Sequence, residues 1–139
     1  MIVLDTNVIS ALMRKEPEKA IEKWLNAQPA ASIWITSITI MEIRFGLQTM
    51  PRGRRQAALS NDFQIMLKNM IEGRVAPFDA AAGVHAAELM AHRKKEGRPM
   101  EIRDTMIAGI VLANRAMLAT RNTPHFEDSQ LSVINPWES

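Results

Sequence analysis

Short, mostly apolar runs, each followed or preceded by a helical stretch, set the outer limits on what this chain can fold into. Ile2-Val3-Leu4, Ser32-Ile33-Trp34-Ile35, Arg74-Val75-Ala76-Pro77-Phe78, Met117-Leu118-Ala119-Thr120 and Leu131-Ser132-Val133-Ile134 have strand character. A strand without polar alternation suits burial on both faces, as in a parallel sheet covered by helices. Helices are expected from Val8 to Met13, Pro17 to Leu25, Ile38 to Met50, Gln56 to Met70, Ala80 to Lys95 and Met106 to Ala113. Asp5-Thr6-Asn7, Thr36 or Ser37, and Asp79 are placed to cap them, and Pro17 suits a first turn. Pro77 lacks a ladder donor, which puts the 74–78 run at an edge or a strand end. The alternation predicts an α/β domain with a mainly parallel sheet. Ligands of such sheets sit beyond the carboxyl ends of the strands.

The length of 139 residues fits one domain, 1–139, with 47% hydrophobic and 23% charged residues in a globular balance. There is no cysteine, which excludes a disulfide framework, a thiolate zinc site and a cysteine nucleophile. No apolar run approaches the ~20 residues of a membrane span. The opening Met1–Asp5 puts an acid where a secretory signal carries basic and then apolar residues, so the expectation is a cytoplasmic protein. A net charge of +2 names no partner. Arg52, Arg54 and Arg55 cluster, as do the basic residues of 93–98; such patches suit phosphate, while solvated helix ends are the commoner explanation.

The carboxylates at element boundaries are more informative. Asp5 closes the first run, where it can cap the next helix. Glu42 falls among Ile38, Ile40, Met41, Ile43, Phe45 and Leu47, on a helix apolar nearly all round. That pattern predicts a substantially buried carboxylate, which needs a hydrogen-bonding partner or a bound cation. Asp104 opens the nearly continuous apolar segment 106–112 and reads as its cap, a role compatible with ligation because a carboxylate has several acceptor sites. Asp79 reads as a cap alone. Asn122 follows a strand, in a loop shared with His125, Glu127 and Asp128. His85 and His92 lie two turns apart on one helix, poorly spaced for one metal. There is no nucleophile elbow, phosphate-binding loop or dinucleotide fingerprint. Asp5, Glu42 and Asp104 remain, with Asn122 nearby. An all-oxygen cluster of this kind suits Mg²⁺ or Mn²⁺, which keep several waters and bind phosphate oxygens.

Met-Ile-Val-Leu-Asp-Thr-Asn-Val-Ile-Ser at 1–10, Ile-Thr-Ile-Met-Glu-Ile-Arg-Phe-Gly at 38–46, Gly-Arg-Val-Ala-Pro-Phe-Asp at 73–79, Arg-Asp-Thr-Met-Ile-Ala at 103–108, Leu-Ala-Thr-Arg-Asn-Thr at 118–123 and Ile-Asn-Pro-Trp at 134–137 follow one another in order. Together they resemble the PIN domains, in particular the VapC toxins of the FitB-like subgroup. The resemblance implies a three-layer α/β/α domain and a metal-dependent endoribonuclease, the toxin of a type II toxin–antitoxin pair. It implies Asp5 and Asp104 as principal Mg²⁺ (or Mn²⁺) ligands, with Glu42 completing the cluster. Thr6 and Asn7 would shape the first turn and border the substrate, and Arg121 would meet the RNA backbone. It further implies a homodimer and a VapB-type antitoxin over the site, the two assembling as a tetramer or octamer on operator DNA. Asn122 stands where many members carry a fourth acid. Glu127 or Asp128 are the acids available to replace it. A phosphatase with an aspartyl nucleophile would want a second aspartate two positions after Asp5, where this chain has Asn7. A non-catalytic module that binds RNA or antitoxin is the remaining alternative.

Overall fold

The computed structural model describes residues 1–127 and 130–138. Strand β1 (Ile2–Leu4) leads into α1 (Thr6–Leu12) and α2 (Lys19–Asn26); a single 3₁₀ turn, Ala30–Ser32, precedes β2 (Ile33–Thr36). Helices α3 (Ser37–Thr49) and α4 (Arg54–Met66) follow, α4 widening into a π-turn at Leu67–Ile71 before β3 (Val75–Ala76). Then come α5 (Ala80–Lys95), α6 (Ile102–Ala113), β4 (Met117–Ala119), a 3₁₀ turn at Thr123–His125 and β5 (Ser132–Ile134). The strands form one sheet in the order β3-β2-β1-β4-β5, every pairing parallel.

Side-chain alternation along the strands separates two cores. Leu4, Ile33, Ile35 and Ala119 point to one face and pack with Val8, Ile9, Ile21, Trp24, Ile43 and Phe63 of α1 to α4. Val3 and Leu118 point to the other and pack with Ala82, Leu89, Ile107, Ile110 and Val111 of α5 and α6. The result is the expected three-layer α/β/α arrangement, with the sheet wholly parallel.

Several boundaries differ from the sequence reading for local reasons. Pro77 ends the hydrogen-bonding ladder, so β3 keeps only two of the residues expected in that strand and lies at the sheet edge. Glu18 occupies the N-cap position of α2 without a capping side-chain bond, leaving Pro17 ahead of the helix. The left-handed exit after the π-turn takes both Glu72 (φ 51°) and Gly73 (φ 77°). Asp79 caps α5 as expected, its Oδ1 accepting from Ala82 N at 3.0 Å.

β1 is the middle strand. The chain walks from it to β2 and β3 on one side, then crosses to β4 and β5 on the other. The place where strand order reverses is thus between β1 and β4, and a crevice opens there at the carboxyl ends.

Candidate active site

Asp5 sits at that crevice, 4% exposed. Its Oδ1 accepts from Thr6 N at 2.8 Å, the capping bond of α1. Its Oδ2 accepts from Thr120 Oγ1 at 2.7 Å and from Asn7 Nδ2 at 3.2 Å. Thr120 is fully buried at the end of β4. Its hydroxyl donates to Asp5 and accepts from Asn7 Nδ2 and Asn122 N, both at 3.1 Å, so its capacity is used completely. Asn7 Oδ1 in turn accepts from Arg121 N at 3.2 Å. Thr120, which the sequence marks only as a strand end, is the group that ties the two strand ends together.

Glu42 reaches the crevice from α3 along a line of hydroxyls. Thr6 Oγ1 donates to Glu42 Oε1 at 2.9 Å, Thr39 Oγ1 lies 3.0 Å from Thr6 Oγ1, and Thr36 Oγ1 donates to Thr39 Oγ1 at 3.5 Å. With Thr6 donating to the carboxylate, each hydroxyl supports the next. Across the carboxylate, Arg103 Nη1 stands 3.7 Å from Glu42 Oε2. Helix α3 is not buried all round: Met41 and Phe45 are 49% and 66% exposed. Its apolar residues serve the core through Ile43 and Leu47 and leave an outer face open.

Asp104 projects from the first turn of α6. It is not the cap of that helix. Glu101 is, accepting from Arg103 N at 2.8 Å and Asp104 N at 3.1 Å. The Asp104 carboxylate is thereby left facing the crevice, with His125 Nδ1 3.6 Å away.

Asp5, Thr6, Asn7, Glu42, Asp104, Arg121 and Asn122 line one pocket of about 390 Å³, together with Ser10, Ala11, Arg14 and Trp137. Asp5, Glu42, Asp104, Asn122, Thr6, Asn7 and Arg121, the site residues expected from the sequence, therefore border a single space. Glu127 is exposed, and Asp128 lies outside the described residues. His85 and His92 are on α5, where His92 pairs with Glu96 at 3.2 Å.

The carboxyls of all three acids are raised above their ordinary values. For Asp5 burial is the main cause, opposed by the bonds from Thr120 and Thr6 and reinforced by Asp104. For Glu42 burial again leads, opposed by Thr6 and Arg103. For Asp104 burial leads and Glu101 adds repulsion, while His125 opposes. Burial thus favours the neutral form of all three acids around a common pocket, so each ionised carboxylate gains from a cation brought beside it. Among the described residues no three acidic or histidine side chains close tightly enough on one point to enclose an ion. An ion bound here would complete its shell with water, as Mg²⁺ does readily.

A family model described as PIN domain matches residues 2–128. The chain belongs to the PIN-domain family. Similar curated PIN relatives span it end to end. VapC ribonuclease Y4jK of Sinorhizobium fredii is 43% identical over 99% of both chains. Plasmid stability protein StbB of Pseudomonas syringae pv. tomato is 42% identical over all of both. Toxin FitB of Neisseria gonorrhoeae is 29% identical over 99% of both. The crystal structure of FitAcB from Neisseria gonorrhoeae superposes with a TM-score of 0.91 at 29% identity, covering all of both chains.

Proposed function

We propose that this PIN domain is the toxin of a toxin–antitoxin pair and acts as a divalent-metal-dependent endoribonuclease. The observation that carries the reading is the meeting of Asp5, Glu42 and Asp104, from three separate elements, in one pocket at the strand-order reversal. The ribonuclease and toxin names of its relatives support the same reading.

The donor set fits Mg²⁺ or Mn²⁺: all oxygen, anionic, and short of positive charge. Asp5 and Asp104 would hold the ion. When bound it supplies charge neutralisation on the phosphate and an acidified water. Glu42 orients the attacking water and accepts its proton as the water oxygen joins phosphorus and the P–O bond to the leaving nucleotide breaks. The hydroxyl line from Thr36 to Thr6 fixes the Glu42 carboxylate for that task. Asn7 and Thr120 hold Asp5 in one orientation, Thr6 and Asn7 border the substrate, and Arg121 offers its guanidinium to the RNA backbone. Asn122 contributes a neutral amide at the rim.

An antitoxin of the VapB type would cover the site. The groove beside it, lined by Met13, Ile43, Leu47 and Leu59 with Arg14 and Arg55 at its margins, continues from the carboxylate pocket and offers such a partner apolar contact. A homodimer, assembling with antitoxin on operator DNA in the cytoplasm, completes the reading. The alternative, a module that binds without cutting, rests on the neutral Asn122.

Incubation of total RNA with purified, antitoxin-free protein separates the two. Discrete fragments with Mg²⁺ or Mn²⁺, and none with chelator, are expected. Intact RNA under every condition, with the protein folded, would overturn the nuclease reading in favour of the binding module.

A further inference from the structure

We propose that Trp137 is a positioning residue that holds Arg121 ready for a backbone phosphate of the RNA, an inference that rests on the RNA-directed reading above. β4 and β5 run side by side, with Ala119 opposite Ile134 and Thr120 N donating to Ile134 O at 2.9 Å. The segments leaving the two strands therefore emerge together at the carboxyl edge. One carries Arg121; the other carries Asn135, buried Pro136 and Trp137. Trp137 N donates to Asn135 Oδ1 at 2.9 Å, and Glu138 N donates to Asn135 O at 3.1 Å. This turn sets the indole against the pocket, where the Arg121 guanidinium carbon lies 4.8 Å from the ring centroid.

The arginines nearest the site make the contrast. Arg14, which also lines the pocket, stands 4.0 Å from Glu18, and Arg103 bridges Glu101 and Glu42; Arg44, away from the pocket, stacks over Phe63 at 5.4 Å. Arg121 has no carboxylate within ion-pair distance among the described residues. An arginine backed by a carboxylate is already neutralised. One backed by an indole keeps its full charge and its fan of donors, with its plane already set. In a pocket dominated by carboxylates, such a cation is what an approaching phosphate needs. Among the described residues the indole Nε1 is buried without an acceptor; the ring packs on the core along with Ile134, and its face meets the Arg121 guanidinium.

The test is binding of a fluorescein-labelled single-stranded RNA 20-mer of mixed sequence, in chelator, across a salt series. Arg121→Ala and Trp137→Leu should each weaken binding roughly 3- to 10-fold, and the double variant should bind no worse than Arg121→Ala. Trp137→Phe, which keeps a face, should stay near the parent. The slope of log affinity against log salt should flatten by about 0.7 in Arg121→Ala, the contribution of one phosphate contact on a single strand. Should Trp137→Leu fail to fold, Arg121→Lys supplies the test: it keeps the charge, stacks poorly, and should bind more weakly than the parent. Losses that add in the double variant, parental binding by Trp137→Leu or Arg121→Lys, or no RNA binding at all would each overturn the proposal. Total-RNA cleavage with metal is scored separately. Cleavage without coupling between 121 and 137 overturns this inference alone, and coupling without cleavage overturns the nuclease reading alone.

Discussion

Asp5 and Asp104 face the same pocket but would respond differently to losing their charge. Asp5 accepts from Thr6, Thr120 and Asn7, so an amide there forfeits at least one acceptor while keeping the helix-capping bond from Thr6 N. Among the described residues Asp104 has one basic partner within 4 Å, His125 at 3.6 Å, and it is not the helix cap. Burial and the neighbouring Glu101 raise its carboxyl above 3.8. An acid whose pKa is higher folded than unfolded supports the fold while protonated, and that support is lost as pH rises through the raised value. In metal-free buffer Asp104→Asn should therefore melt above the parent near pH 7.5, the gap closing as pH falls toward about 4. Thermal melts across that range check it. A parent more stable than Asp104→Asn at neutral pH would mean that the contact with His125 outweighs burial and repulsion.

Helix α6 delivers Asp104, and its seat against α5 depends on Gly109. A Cβ at that position would lie 2.5 Å from Ala82 O and 2.8 Å from Ala86 Cβ, on the facing helix. A Cβ at Gly83, on α5, would meet nothing within 4 Å. Alanine gains about 1 kcal/mol over glycine in a helix interior, whereas overpacking costs about 1–3 kcal/mol. The two substitutions should thus have opposite signs: Gly83→Ala raises the melting temperature and Gly109→Ala lowers it. Denaturant or thermal unfolding of both variants decides this, and a stabilised Gly109→Ala would show that α5 and α6 can separate freely. The same element shows where sequence reading stops. Asp104 is legible as the opening of α6, since acids favour first turns. The cap itself is Glu101, a residue type less usual at that position than Ser, Thr, Asp or Asn. The outer face of α3 escapes for a related reason: Met41 and Phe45 read as core by hydrophobicity, although a helix at the side of a sheet buries only one stripe.

At the scale of the molecule, the parallel sheet and its reversal between β1 and β4 explain why acids far apart in sequence share a pocket. The alternation of apolar runs and helices is enough to predict the layers, and strand ends are enough to select Asp5 and Asn122. What the sequence does not display are the contacts spanning most of the chain. Thr120 bonds Asp5 from 115 positions away, and Trp137 meets Arg121 only because β5 lies beside β4. Such contacts depend on strand order, which periodicity does not encode. If this convergence makes a divalent-cation site, calorimetric titration of Mn²⁺ into the parent and Asp5→Asn reveals it most directly. Partners that merely orient a ligand are worth about 10–100-fold in affinity, so removing Asp5 should weaken binding by more than about 100-fold from a saturable parent isotherm. No heat in the parent, or equal affinity in Asp5→Asn, would contradict a cation site there.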